Sequence, residues 1–257
     1  MNCIDLNCDV AEIPEMAADG SQAELLRYIS SANVACGAHA GNAEMMRATI
    51  EQAQAAGAAI GAHPGYEDRE NFGRVELRLS PEEIAASVHR QIVALDEIAD
   101  SLGSRILHVK PHGALYNLAA RDVRVAQAIA EGVSRWSRDV ILIGLAGSVM
   151  IAEFRKAKFR VAAEAFADRR YENNGTLRSR KFEDAILRTP EEAAGQAVAI
   201  VRECCVISSD GKIVPLDADT ICVHGDTPSA VEIARAIDNA FHAAGIVRKR
   251  LVLHELH

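Results

Sequence analysis

Seven short apolar or β-branched runs alternate with longer, Ala-rich amphipathic stretches along nearly the whole chain, and no other feature restricts the fold so strongly. A short apolar run bounded by turn formers reads as a strand buried on both faces. An intervening stretch with apolar residues every three to four positions reads as a helix covering one of those faces. Strands are predicted at 3–8, 31–35, 58–62, 105–110, 140–144, 160–165 and 220–224, and helices near 21–29, 42–57, 81–102, 121–135, 147–158, 190–204 and 228–244. Ser80-Pro81 with Glu83, and Thr189-Pro190 with Glu192, are capping boxes with proline at the first helical position. Gly57, Gly103 and Gly245 stand where a left-handed residue ends a helix.

Repeated strand and helix units imply a parallel α/β architecture. The 257 residues contain no linker rich in Pro, Gly or Ser. They fit one α/β barrel of about 250 residues, so residues 1–257 are read as a single domain. Ser209-Asp210-Gly211-Lys212, between β-prone runs, predicts a small hairpin inserted at 206–216.

Composition excludes several function classes. Lys and Arg number 28 against 36 Asp and Glu, a net charge of −8, which disfavours a protein that grips phosphate backbones, so nucleic acid is not expected as a partner. No apolar run approaches the ~20 residues of a membrane helix, and the first residues lack the pattern of a secretory signal, so no membrane association and a cytoplasmic location are expected. The six cysteines show no C-x-x-C spacing and read as reduced, mostly buried residues.

Polar residues cluster where the predicted strands end. The first strand offers Asp5, Asn7 and Asp9, and the second Asn33, with His39 just beyond. His63 follows the third, His108, Lys110 and His112 mark the fourth, Glu164, Asp168 and Arg169 the sixth, and His224 and Asp226 the seventh. Carboxyl ends of parallel strands are where ligands bind in such folds, so these residues converge on one mouth. The two-residue period of a strand puts Asp5, Asn7 and Asp9 on one side, and likewise His108, Lys110 and His112. Bland alternatives stand beside this reading: Glu164 with Arg169 also fits a structural ion pair, and Asp5 a hydrogen bond to a neighbouring strand. His89, His242, His254 and His257 are read as structural.

Asp, His and Glu together suit metal-assisted hydrolysis. They equally suit metal-free chemistry with Asp9 or His112 as base, Lys110 as electrophilic stabiliser, and Asn side chains and backbone N–H groups around an oxyanion. No H-E-x-x-H occurs, and no H-x-H on the first strand, so a bound metal is not the favoured reading. No G-x-x-x-x-G-K-[ST] phosphate loop occurs either. The nearest glycine loop, Gly144-Leu145-Ala146-Gly147-Ser148, suits an anion at a helix N-terminus or simply a tight turn.

DLNCDVAE, SANVACGAHAGN, IGAHPGYEDRENFGR, HVKPHGALYN, GLAGS, EAFADRRYENNGTLRSR and CVHGD, in this order, resemble the LamB/YcsF family from about Asp5 to Asp226. The resemblance implies a distorted, roughly seven-stranded β/α barrel related to glycoside hydrolase and deacetylase barrels. It also implies ATP-dependent opening of the 5-oxoproline lactam to L-glutamate by a 5-oxoprolinase of which this chain would be one component, in concert with partner subunits B and C. ATP with Mg²⁺ would be bound mainly by those partners, and no tightly bound cofactor is expected here.

Matched by motif, Asp9, His39, Lys110 and His112 are expected near the chemistry. Asp5, Asn7, Asn33, His63, Glu164, Asp168, Arg169, His224 and Asp226 are expected around the substrate, with Arg169 as the partner of a substrate carboxylate. The chain departs from the family pattern at Val10-Ala11, Ala38, Glu67 and Val75, all near the mouth. Two rival readings are a self-sufficient, metal-dependent hydrolase or deacetylase acting on a sugar or cyclic amide, and a binding protein that holds a small carboxylate.

Overall fold

Strands with no exposed face can form only inside a layer of helices, and that is the arrangement found in the computed structural model, which describes residues 2–227 and 229–252. In chain order the strands are β1 (Cys3–Val10), β2 (Ser31–Ala35), β3 (Ala59–His63), β4 (His108–Val109), β5 (Ile141–Leu145), β6 (Arg160–Phe166), β7 (Cys205–Ile207), β8 (Ile213–Pro215), β9 (Thr220–His224) and β10 (Val247–Arg248). The sheet runs β1-β2-β3-β4-β5-β6-β9, all parallel, and β9 pairs back onto β1, closing a seven-stranded barrel. The short β10 extends β1 outside this ring, and β7 with β8 forms an antiparallel hairpin between β6 and β9.

The helices are α1 (Pro14–Asp19), α2 (Ser21–Leu26), α3 (Ala43–Ala56), α4 (Pro81–Ser101), α5 (Gly113–Ala119), α6 (Val123–Ser134), α7 (Val149–Lys156), α8 (Pro190–Glu203) and α9 (Ala230–Ala243). At α4 both halves of the capping box form: Glu83 N–H donates to Ser80 Oγ, and Ser80 N–H donates back to the Glu83 carboxylate. Thr189 caps α8 through the Glu192 N–H. Among the described residues no helix is long and apolar enough to cross a membrane. Pro228, His254 and His257 lie outside the described residues.

Three elements were not expected from the sequence. The helix α1 buries none of its residues, so it shows no apolar period to read. The helix α5 starts on Gly113 directly after the His112 cluster, and β10 has two residues. Conversely β4 is shorter than its predicted span, because Pro111 follows and the Lys110 carbonyl is taken by the His63 ring at 2.7 Å.

Two glycines allow close approaches that fix the architecture. A Cβ at Gly61 would lie 2.0 Å from His108 Nε2, so this position on β3 leaves room for the His108 imidazole inside the barrel. Gly132 on α6 packs against α4, where a Cβ would sit 2.5 Å from the Ala85 carbonyl oxygen. In Gly132→Ala the gain in helix propensity of about 1 kcal/mol is outweighed by that backbone clash, of about 1–3 kcal/mol. The urea midpoint of unfolding is expected to fall; an unchanged or higher midpoint would contradict this packing.

Candidate active site

The barrel interior is a column of polar groups rising from Asp5 to the mouth. The register pairs Asp5 with Thr220, Asn7 with Cys222 and Asp9 with His224, so one side of β1 faces one side of β9. At the bottom, Asp5 Oδ1 accepts from the hydroxyls of Ser30 and Ser31, both at 2.7 Å, and Oδ2 accepts from Thr220 at 2.5 Å. Burial outweighs these hydrogen bonds and pushes the Asp5 carboxyl from 3.8 up to about 6. One layer up, Asn7 donates to Glu164 and Thr220 and accepts from Asn33 at 2.8 Å, while Asn33 accepts from His108 Nε2 at 2.8 Å. Burial lowers His108 to about 3, so this ring is neutral.

Lys110 is the hub. Its ammonium lies 2.9 Å from Asp9 Oδ1, 2.9 Å from Glu164 Oε1 and 3.0 Å from Cys222 Sγ. Burial alone would lower the Lys110 pKa, but Asp9, Cys222 and Glu164 together raise it well above its ordinary value. For Asp9 the balance is the mirror image: burial opposes ionisation, and His63 and Lys110 hold the carboxyl well below the usual carboxylate range.

Above the hub stand three imidazoles and Glu12. His63 Nε2 and His112 Nδ1 are 2.9 Å apart, and His39 lies flat on His112 with ring centroids 3.8 Å apart. His39 Nε2 reaches Glu12 Oε1 at 2.9 Å, and burial lowers His39 to about 4, so it is the neutral donor in that contact. Burial would raise the Glu12 carboxyl, but the His112 and His39 rings beside it hold it well below the usual carboxylate range. The ligand-capable atoms of Glu12, His39, His63 and His112 all lie within 4.8 Å of one another, a spacing compatible with a metal ion.

On the opposite side, His224 Nδ1 contacts both Asp168 oxygens at 3.0 Å and the His224 ring stacks on Phe166. A carboxylate that orients Nδ1 leaves Nε2 as the reactive nitrogen. Arg169 is buried, and its Nε and one terminal nitrogen donate to the carbonyls of Ala185 and Arg178, so part of its guanidinium is engaged in bracing the loop after β6. Asp226 pairs with Arg74, whose guanidinium also covers the Phe72 ring at 4.7 Å.

The LamB/YcsF family matches residues 4–254. The chain belongs to that family. It is 49% identical over 246 residues to the A subunit of 5-oxoprolinase from Chloroflexus aggregans, covering 96% of this chain and 98% of the relative. The crystal structure of a lactam utilization protein from Thermus thermophilus superposes with a TM-score of 0.90 at 42% identity, covering 97% of this chain and all of that one. A family 4 carbohydrate esterase from Streptomyces lividans shares the fold alone, with a TM-score of 0.54 and 10% identity over 99% of this chain and 95% of that one. The LamB/YcsF barrel is thus of the deacetylase-like β/α type.

Asp9, Asn7, Asn33, His63, Lys110, His112 and Glu164 meet in one continuous network of this LamB/YcsF chain, and His39 joins it through Glu12. Asp168 with His224 forms a second pair beside it, Asp5 lies beneath, and Arg169 and Asp226 bond to loop groups. Sequence reasoning missed Glu12, Cys222 and Arg180. Glu12 was visible only as the last residue of DLNCDVAE, and Arg180 as the last of TLRSR; the exposed Arg180 stands within electrostatic range of Arg74, Asp226, Asp168 and Asp9.

Asp5 gives a pH test. A carboxyl raised from 3.8 to about 6 stabilises the fold most below pH 3.8, and that contribution is lost as pH rises through about 6. Relative to Asp5→Asn, the wild type is expected to lose about 3 kcal/mol of unfolding free energy between about pH 4 and 7. Parallel profiles of the two proteins in urea titrations would refute the assignment.

Proposed function

We propose that this chain is the A subunit of an ATP-dependent 5-oxoprolinase, which opens the lactam of 5-oxoproline to L-glutamate together with partner subunits B and C. The observation that carries this reading is the 49% identity, over nearly the full length of both chains, to a relative named as the A subunit of 5-oxoprolinase. The chemistry at the mouth is suited to it. ATP with Mg²⁺ acts on the partner subunits, in keeping with a sequence that has no phosphate loop, and phosphoryl transfer to the lactam oxygen makes the ring carbon electrophilic. The six free cysteines and the use of ATP suit a cytoplasmic setting.

In this reading His224, oriented by Asp168, takes a proton from water as the water oxygen adds to the activated ring carbon. The protonated imidazole then gives that proton to the ring nitrogen; as the C–N bond breaks, the hydroxyl of the tetrahedral adduct passes its proton to the leaving amine, giving glutamyl phosphate, and a second water hydrolyses this acyl phosphate to L-glutamate and inorganic phosphate. Lys110, held by Asp9, Glu164 and Cys222, is a positioning residue that keeps Asp9 ionised and in place. Arg180 and Arg74 supply positive charge at the rim for the substrate carboxylate.

Glutamate formation from 5-oxoproline, ATP and Mg²⁺ tests this directly. Activity is expected only when this chain and subunits B and C are all present, and His224→Gln should lower kcat by about 100-fold, the size of a general acid–base contribution. Absence of glutamate with all three subunits folded and associated would reject the substrate. Turnover of a sugar or cyclic amide by the chain alone would replace this reading with that of a self-sufficient hydrolase.

A further inference from the structure

His63 and His112 face each other in an unusual way. Their outer nitrogens are both spent on backbone carbonyls: His63 Nδ1 on Lys110 O at 2.7 Å, and His112 Nε2 on Phe72 O at 2.9 Å. A carbonyl can only accept, so each outer nitrogen carries a proton, and a ring with that one proton turns a lone pair inward. The two inward nitrogens are 2.9 Å apart. Glu12 Oε1 stands 3.2 Å from His112 Nδ1 and 3.7 Å from His63 Nε2, and Asp9 Oδ2 stands 3.3 Å from His63 Nε2. Two nitrogen lone pairs and two carboxylate oxygens therefore converge on one buried point, an arrangement that repels itself unless a cation sits among them.

Among the described residues one other group of ligand-capable atoms is equally close, Asp9 with Cys222 and His224. That group already has its cation, because the Lys110 ammonium touches both Asp9 and Cys222. The Glu12 group shares Asp9 with that ammonium, but among the described residues no ammonium pairs with Glu12 itself.

We propose that Glu12, His63 and His112 bind a divalent transition-metal ion at the barrel mouth, with Asp9 beside it. Imidazole nitrogen and carboxylate oxygen are the donors that Zn²⁺, Co²⁺ and their neighbours prefer. The surroundings are those of metal-binding histidines, whose second N–H is tied to a carbonyl and fixes the ring and its tautomer. The backbone is bent to provide one of those ties: Phe72, which offers its carbonyl to His112, has φ 54 in the left-handed region, a conformation costing about 1 kcal/mol or more for such a residue. His39 is read as the donor that orients Glu12 rather than as a ligand, since its Nε2 is already on Glu12 Oε1. Bonds of about 2.1 Å in tetrahedral geometry put ligand atoms about 3.4 Å apart, so binding opens the His63–His112 contact by a few tenths of an ångström. The site stands on this geometry alone and does not depend on the 5-oxoproline reading.

The test uses the untagged full chain, stripped with a chelator and titrated with ZnCl₂ or CoCl₂. One ion per chain by elemental mass spectrometry is expected, with a rise in Tm on Zn²⁺ and the visible absorption of four- or five-coordinate Co²⁺. Glu12→Gln and His112→Gln should each abolish stoichiometric binding, and His39→Gln should weaken it by about 10- to 100-fold through the orientation of Glu12. The exposed His242→Gln should leave it unchanged. If Glu12→Gln or His112→Gln unfolds, the Co²⁺ spectrum of the wild type still decides the matter. A folded wild type that binds no ion, with only a proton between the two rings, would overturn the proposal, as would full binding that survives the Glu12→Gln, His112→Gln double variant.

Discussion

Lys110 is the interaction on which the interior depends. Large parallel barrels ordinarily fill their centres with apolar layers. Here that is true of one sector, where Ile141, Ile143 and Ala162 meet Leu251, while the sector between β1, β2, β4, β6 and β9 carries Asp5, Asn7, Asp9, Asn33, His108 and Glu164. Two carboxylates this deep are tolerable together because the Lys110 ammonium lies between them, and a buried pair stripped of one partner costs about 3–5 kcal/mol. With Lys110 in place, Asn7 and Asn33 can spend their amides on linking Asp9, Glu164 and His108 rather than on compensating charge.

The mouth is built on this rigid floor by loops with little freedom of their own. Ala11 takes φ 61 immediately after β1, and its N–H is held by the Gln22 side chain at 2.9 Å, which turns Glu12 back over the barrel axis. The loop after β3 crosses above His39 and His112, delivers the Phe72 carbonyl to His112, and closes through Arg74 on Asp226 beyond β9. The loops that follow β3 and β9, which are not neighbours in the closed sheet, are thus tied across the site. Such ties restrict the imidazoles to single tautomers, a requirement for any chemistry that moves a proton or holds a metal.

Much of this was legible in the sequence because strand periodicity is strict. The odd positions of β1 and the even positions near β4 project inward as a period of two requires, and the glycine and proline exits mark where the strands stop. The family resemblance extends this to most of the mouth. What the sequence hides is whatever depends on an irregular backbone: the return of Glu12 depends on one left-handed alanine, and the partial diversion of Arg169 to backbone carbonyls depends on the path of the 170–189 loop. Cys222 looked like an ordinary apolar strand residue, and only barrel closure places its sulfur on Lys110. The difference between Arg169 and Arg180 is of the same kind, since both belong to one motif but only one stands exposed at the rim.

The claim on which the site rests most directly is that the two outer nitrogens of His63 and His112 carry the ring protons, turning both lone pairs inward. Side-chain ¹⁵N NMR of histidine-labelled protein, assigned with His63→Gln and His112→Gln, reads each nitrogen separately. The structure predicts a protonated Nδ1 on His63 and a protonated Nε2 on His112, with the inward nitrogens unprotonated once Zn²⁺ is added. The opposite tautomer on either ring, or two fully protonated rings that do not respond to Zn²⁺, would contradict it.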